Sequence, residues 1–247
     1  MGKICFIGVP PVEWDQILRN KEACKKLNLP RVVECDKRDG RLAVVGGGPS
    51  VLSHLDKIRE CSEVWGINGA CAMLRAHGIE STLFAMDPDP IVAKWCPGAK
   101  KALFCDRVCP EAFELLKDAE VRWFEIRNDS PEGIIVGSST ASAAFHLGVT
   151  LGFTKIDFFG CDSSFEGQSH AYQDEGRQDL LWVDCNGASY KTAPDFYLQA
   201  QEMSMILRHF PKSFRNFGGG LLQAMVDSEE HDITHVSQSL MSQLKVA

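Results

Sequence analysis

Two spacings of apolar residues alternate along this chain. Short continuous runs recur: KICFIGV (3–9), LAVVG (42–46), EVWGIN (63–68), TLFAMD (82–87), KALFC (101–105), VRWFEI (121–126), KIDFFGCD (155–162) and SFRNFG (213–218). Runs of this length, bounded by turn residues, predict buried strands. Between several of them the apolar positions fall at helical spacing. In SSTASAAFHLGVTLG (138–152), Ala141, Ala144, Phe145, Gly148 and Leu151 share one face. PDFYLQAQEMSMILRHF (194–210) opens on Pro194, which suits a first helical turn. Strand and helix in repetition imply right-handed crossovers and a mainly parallel sheet covered on both faces. The expected fold is therefore α/β, a Rossmann-like doubly wound domain over residues 41–226.

Residues 1–40 read as an N-terminal strand–helix extension packed on that domain, closed by the turn-forming DKRDG. The tail, 227–247, begins polar and then places Val236, Leu240 and Leu244 at helical spacing. It is expected to form a short helix for packing or homo-oligomer contact, or to fray.

Composition narrows the function classes. The net charge of −7 argues against a broad nucleic-acid surface, which is normally basic. No apolar run approaches the roughly 20 residues that span a bilayer, so no membrane span is expected. The N-terminal apolar stretch is short and soon interrupted by proline, unlike a signal peptide. The ten cysteines contain no CxxC pair, and the plain reading is reduced thiols in a cytoplasmic protein. A zinc site from Cys96, Cys105 and Cys109 is the sharper alternative, but it lacks the closely paired ligands zinc prefers.

Candidate chemistry gathers at strand ends, where open parallel sheets bind ligands. RLAVVGGGPSVLSHL (41–55) carries an apolar run into Gly46, Gly47, Gly48, Pro49 and Ser50. Glycines let a backbone approach a ligand closely, and a helix starting at Pro49 would present free amides to an anion. The alternative is a tight turn without a ligand. The loop is not a Walker motif, because no Gly-Lys-Ser/Thr follows. It is a poor dinucleotide fingerprint too, since Val51 stands at the third glycine position. Asn68, after the next strand, is a candidate ribose or base contact, or a helix N-cap.

Asp87 and Asp162 end two further strands, with Asp89 close by. Two such carboxylates in one crevice suit a magnesium ion beside phosphate oxygens, or they cap the segments that follow. Gly137, Ser138, Ser139 and Thr140 open the helix at 138–152 and offer a second anion site, or a serine cap. His146, inside that helix, suits packing or surface. The polar loop after Asp162 supplies His170 and Tyr172 as candidates for acid–base chemistry, and Arg177 or Lys191 as phosphate neutralisers.

The order of VVGGGPS, a strand ending in Asn68, a strand ending in Asp87, GSSTASAAFHLGVTLGFTKIDFFGCD, a loop with HAY, and NFGGG resembles the MptE-like family over about 40–225. The named members are 6-hydroxymethyl-7,8-dihydropterin diphosphokinases. The resemblance implies a Rossmann-like fold and diphosphate transfer from ATP to a hydroxymethyl acceptor with magnesium. It implies phosphates at Gly46–Ser50 and metal or substrate at Asp87 and Asp162. The sequence is also similar, more distantly, to bacterial sialyltransferases that use CMP-sugars. Those carry a histidine shortly before the late helix, whereas NGASYKTAPDF has none. Three functions stay open: an ATP- and magnesium-dependent diphosphokinase, a nucleotide-sugar glycosyltransferase with His170 or Tyr172 as base, and a nucleotide-binding module without turnover. In each the partners expected are a nucleotide and, for the enzymes, a small-molecule acceptor.

Overall fold

Leu42–Val45 has no polar residue, and its strand, β1, is buried on both faces. Leu42 and Val44 face one apolar cluster, Ala43 and Val45 the other, as period-two geometry requires of a strand between two helical layers. The computed structural model describes residues 13–33, 35–126, 133–134, 136–165 and 180–228. The strand expected at 3–9 and the tail 229–247 lie outside them.

The strands that complete the main sheet are β2 (Glu63–Ile67), β3 (Thr82–Ala85), β4 (Lys101–Cys105), β5 (Glu120–Phe124), β6 (Ile156–Phe159) and β9 (Phe214–Asn216). A separate hairpin is made by β7 (Leu181–Cys185) and β8 (Ala188–Thr192). The helices are α1 (Trp14–Lys26), α2 (Leu55–Arg59), α3 (Ala70–Ala76), α4 (Pro110–Leu115), α5 (Thr140–Thr150), α6 (Pro194–His209) and α7 (Gly220–Asp227). The sheet order is β5-β4-β3-β2-β1-β6-β9, and every neighbouring pair is parallel. Strand order reverses between β1 and β6, so the two carboxyl ends splay apart there and open the crevice where such folds place ligands. This is the Rossmann-like α/β fold that the periodicity predicts.

Aromatic rings tie the strands together across one face. Trp65 stacks on Phe84 at 5.8 Å, Phe84 on Phe124 at 5.7 Å, and Phe153 meets Trp65 edge-on at 6.1 Å. Offset and edge-on pairs of this kind add about 0.5–1.5 kcal/mol each beyond the area they bury.

One element departs from the sequence reading, and two others add to it. The segment after Gly48 is a tight 3-10 turn, Pro49–His54, followed by only five residues of α2. The α-helix expected to start at Pro49 therefore begins only at Leu55, because the chain turns to pack Val51 beneath the loop. Residues 181–192, to which the sequence reading gave no element, are a hairpin. Asn186 and Gly187 both have positive φ, 51° and 75°, which matches the right-handed twist of the paired strands. Residues 13–40 are laced into the domain. Val32 donates to the Trp123 carbonyl, Trp123 donates to that of Pro30, and Asn20 of α1 donates to the carbonyls of Pro88 and Arg107.

Candidate functional site

Asp162 fills the switch-point crevice. It follows β6 and is 5% exposed. Its Oδ2 accepts the Ser50 amide at 3.1 Å, its Oδ1 accepts the Gly219 amide at 3.1 Å, and the Ser50 hydroxyl donates to Oδ1. One carboxylate thus joins the loops after β1, β6 and β9. The glycine run exists to let this happen. A Cβ on Gly48 would collide with the Asp162 carboxylate and stand 2.7 Å from the Gly160 carbonyl. On Gly46 it would stand 2.6 Å from that same carbonyl. What approaches the backbone closely here is the protein's own chain.

This corrects the phosphate cradle expected at Gly46–Ser50. The Gly46 amide donates to the Phe159 carbonyl at 2.8 Å, and the Gly48 amide to the Gly160 carbonyl at 2.7 Å. Ser50 is held by Asp162, and Pro49 has no amide. Among the described residues, only the Gly47 amide of this loop has no internal acceptor.

The paired magnesium ligands expected at Asp87 and Asp162 do not come together either. Strands β2 and β1 separate them, and three strand spacings amount to about 14 Å. Both Asp162 oxygens already accept hydrogen bonds, and Asp87 Oδ1 accepts the Asp89 amide at 3.0 Å. Asp89 in turn caps the turn at Pro90–Trp95 by accepting from the Ile91 amide. These residues do not fit a shared magnesium ion. Nor do Cys96, Cys105 and Cys109 form a metal set: all are free and buried, and the described residues contain no group of three His, Cys, Asp or Glu suited to a metal. Burial pushes the Cys96 thiol up to about 12, which disfavours a thiolate ligand.

The second expected anion site is closed in the same manner. Glu202, from α6, reaches the start of α5. Its Oε2 accepts the amide and the hydroxyl of Ser138, each at 2.7 Å, and its Oε1 lies 3.9 Å from His146 Nε2. Its carboxyl occupies the space a side chain on Gly137 would need. Ser139 is the N-cap and makes a reciprocal capping box with Ser142, and Thr140 is the first helical residue. Burial pushes the Glu202 pKa up, but the nearby His146 and the hydrogen bonds from Ser138 outweigh it and the net direction is down.

Asn68 and Asp87 remain available. Asn68 sits just beyond β2 with φ of 52°, a left-handed conformation asparagine tolerates better than most residues. Its backbone is satisfied: the amide donates to the Phe84 carbonyl and the carbonyl accepts from Cys71. The side chain does not cap α3, whose N-cap is Gly69. Its Oδ1 is buried and has no hydrogen-bond partner among the described residues. Asp87, beyond the neighbouring strand, has its pKa raised by burial; the hydrogen bond from the Asp89 amide opposes this, and the Asp89 charge adds to it. His170, Tyr172 and Arg177 lie outside the described residues. Lys191 is on β8, beside the crevice.

Sequence reasoning missed Glu202 and the hairpin. Glu202 lies between the buried Gln199 and Met203 of α6, on an inward-facing arc. The hairpin was signalled by Asn186-Gly187 between alternating residues.

Together the seven-stranded parallel sheet, the strand order that reverses between β1 and β6, and the glycine loop beside that reversal define a Rossmann-like α/β protein. The chain belongs to the MptE-like family: the profile described as 6-hydroxymethylpterin diphosphokinase MptE-like matches residues 15–168. The match starts inside α1 and ends before the hairpin. No curated protein matches the chain. Among solved structures, the MAf glycosyltransferase from Magnetospirillum magneticum AMB-1 superposes over 83% of this chain with 15% identity and a TM-score of 0.65. This chain spans 36% of that protein's length. A mammalian sialyltransferase is similar over 84% of this chain and 86% of its own, at 13% identity and a TM-score of 0.42.

Proposed function

We propose that the protein is a nucleotide-dependent transferase whose nucleotide lies over the carboxyl ends of β1, β2 and β3. The observation that carries this reading is Asn68. A desolvated side-chain oxygen without a donor, on a left-handed backbone at a strand end, is costly unless a ligand supplies the donor. A ribose hydroxyl or a base N–H would do so. Asp87, one strand over, offers a second acceptor whose charge is disfavoured by burial until a donor reaches it. The open Gly47 amide is the loop's remaining contact for a phosphate oxygen.

The family match supports diphosphate transfer from ATP to the hydroxymethyl group of a small acceptor. In that reaction the acceptor oxygen bonds to the β-phosphorus, the bridge to the α-phosphate breaks, AMP leaves, and the hydroxyl proton passes to a base. The chain's contribution is positional: it holds donor and acceptor in line and keeps water out. Magnesium would neutralise the phosphates, though the Asp87–Asp162 pair does not supply its site. The nine described cysteines are all free, which supports a reducing, cytoplasmic setting.

A second reading is transfer of a sugar from a nucleotide-sugar, favoured by the fold shared with the MAf glycosyltransferase over 83% of the chain. A thermal-shift panel separates the two. Ligand at about 100 times its Kd stabilises by about 2.7 kcal/mol, or about 5–10 °C for a chain of this size. A shift with ATP and AMP supports the first reading, and one with CMP, UDP or GDP the second. No shift with any nucleotide would overturn both.

A further inference from the structure

The hairpin and the segment after β6 line a groove of about 510 Å³, bordered by Ser164, Phe165, Trp182, Ser189, Tyr190 and Lys191. That volume lies within the usual range for a small-molecule site, about 300–1,000 Å³. The hairpin is fixed to the crevice loop: the Phe165 amide donates to the Lys191 carbonyl at 2.7 Å, and the Thr192 hydroxyl to the Ser163 carbonyl at 2.6 Å. Ser164 belongs to both places. It lines the groove, and its hydroxyl accepts the Leu221 amide beside Asp162.

The side chains here are unlike those of a hairpin that only packs. Val183 and Tyr190, opposite each other, pack against the core, and Tyr190 also borders the groove. Trp182 and Lys191, also opposite each other, line the groove. Trp182 is 69% exposed, the most exposed large apolar side chain among the described residues. The Lys191 ammonium makes no ion pair with any described residue. An indole face left to solvent next to an unpaired cation, with Phe165 behind, matches a flat ring that carries an electron-rich oxygen. The hairpin also lies outside the matched family span, which ends at residue 168.

We propose that this groove is the acceptor subsite: a flat heteroaromatic acceptor stacks on Trp182, and Lys191 donates to a ring carbonyl or other oxygen on it. The assignment rests on the transferase reading above. It places the acceptor beside the strand-end crevice, on the opposite side of β1 from Asn68.

The experiment titrates 6-hydroxymethylpterin, and lactose in parallel, into the full chain while tryptophan fluorescence is followed, with ATP-induced thermal shift measured on the same samples. Quenching by the pterin and none by lactose is expected. Trp182→Ala should abolish most of the quenching and weaken acceptor binding by about tenfold, the size of one ring-stacking contact. Trp182→Phe should restore most of the affinity, and Lys191→Met should weaken it severalfold. The ATP shift should be unchanged in all three. An unchanged acceptor affinity in Trp182→Ala and Lys191→Met would overturn the subsite, as would binding of lactose alone. Absence of the ATP shift in the parent protein would instead overturn the diphosphate-transfer reading.

Discussion

Glu202 of α6 occupies the anion position at the start of α5, with its Oε2 2.7 Å from both the amide and the hydroxyl of Ser138. Asp162 does the same for the loop after β1. Both places that looked ready for phosphate are thus held by the protein's own carboxylates, which neutralise exposed amides and lock neighbouring elements together. In the proposed function, ligand contacts are therefore left to the strand ends.

Asp162 should therefore behave first as a structural residue. Asp162→Ala strands the Ser50 and Gly219 amides, and a loss of about 2–4 kcal/mol is expected at neutral pH. Urea unfolding of the variant would show it as a lower midpoint. A midpoint equal to the parent's would contradict the clamp.

The glycines of the loop make a paired test. Gly48→Ala pushes a methyl into the Asp162 carboxylate and should cost about 1–3 kcal/mol. Gly219→Ala meets nothing within 4 Å and should stay within about 0.5 kcal/mol of the parent. Equal effects on the melting temperature would remove the steric account.

Glu202 predicts the direction of a pH dependence. Its folded pKa is held below the ordinary glutamate value, so the unfolded chain binds its proton more readily. The stabilisation is present above that value and is lost as pH falls through the lower folded pKa. Glu202→Gln should be less stable than the parent at pH 6, and the gap should narrow toward pH 3. A gap that widens in acid would refute it.

Asp87 has the opposite sign. Burial raises its pKa above 3.8, so stability falls as pH rises through the interval above that value. Asp87→Asn should match or exceed the parent in stability at pH 7 while reducing the nucleotide-induced shift. A variant that is less stable but binds nucleotide fully would show a packing role instead.

Asn68→Gly removes the orphaned oxygen and keeps a residue at ease with φ of 52°. Thermal unfolding should change little without ligand, and the shift on adding nucleotide should largely vanish. An intact shift would take away the observation on which nucleotide binding rests.

The strands were legible because each is a local matter. LAVV must be buried on both faces wherever it lies, and its alternation with helical stretches forces a parallel, right-handed sheet. Asn186-Gly187 was legible in principle, since the turn is written in two adjacent residues. The fate of Pro49 was not. Whether an α-helix or a 3-10 turn follows depends on where Val51 must pack.

The sequence alone determined that there is an α/β sheet, where its strands lie, and that something comes close to Gly46–Gly48. Only the tertiary structure decided what that something is. Asp162 is 112 residues from Ser50 and Glu202 is 64 from Ser138, and no periodicity reports a contact over such distances. Short-range spacing fixes which face of an element is buried; the partner that face or loop meets is chosen when distant strands and helices are brought together by packing.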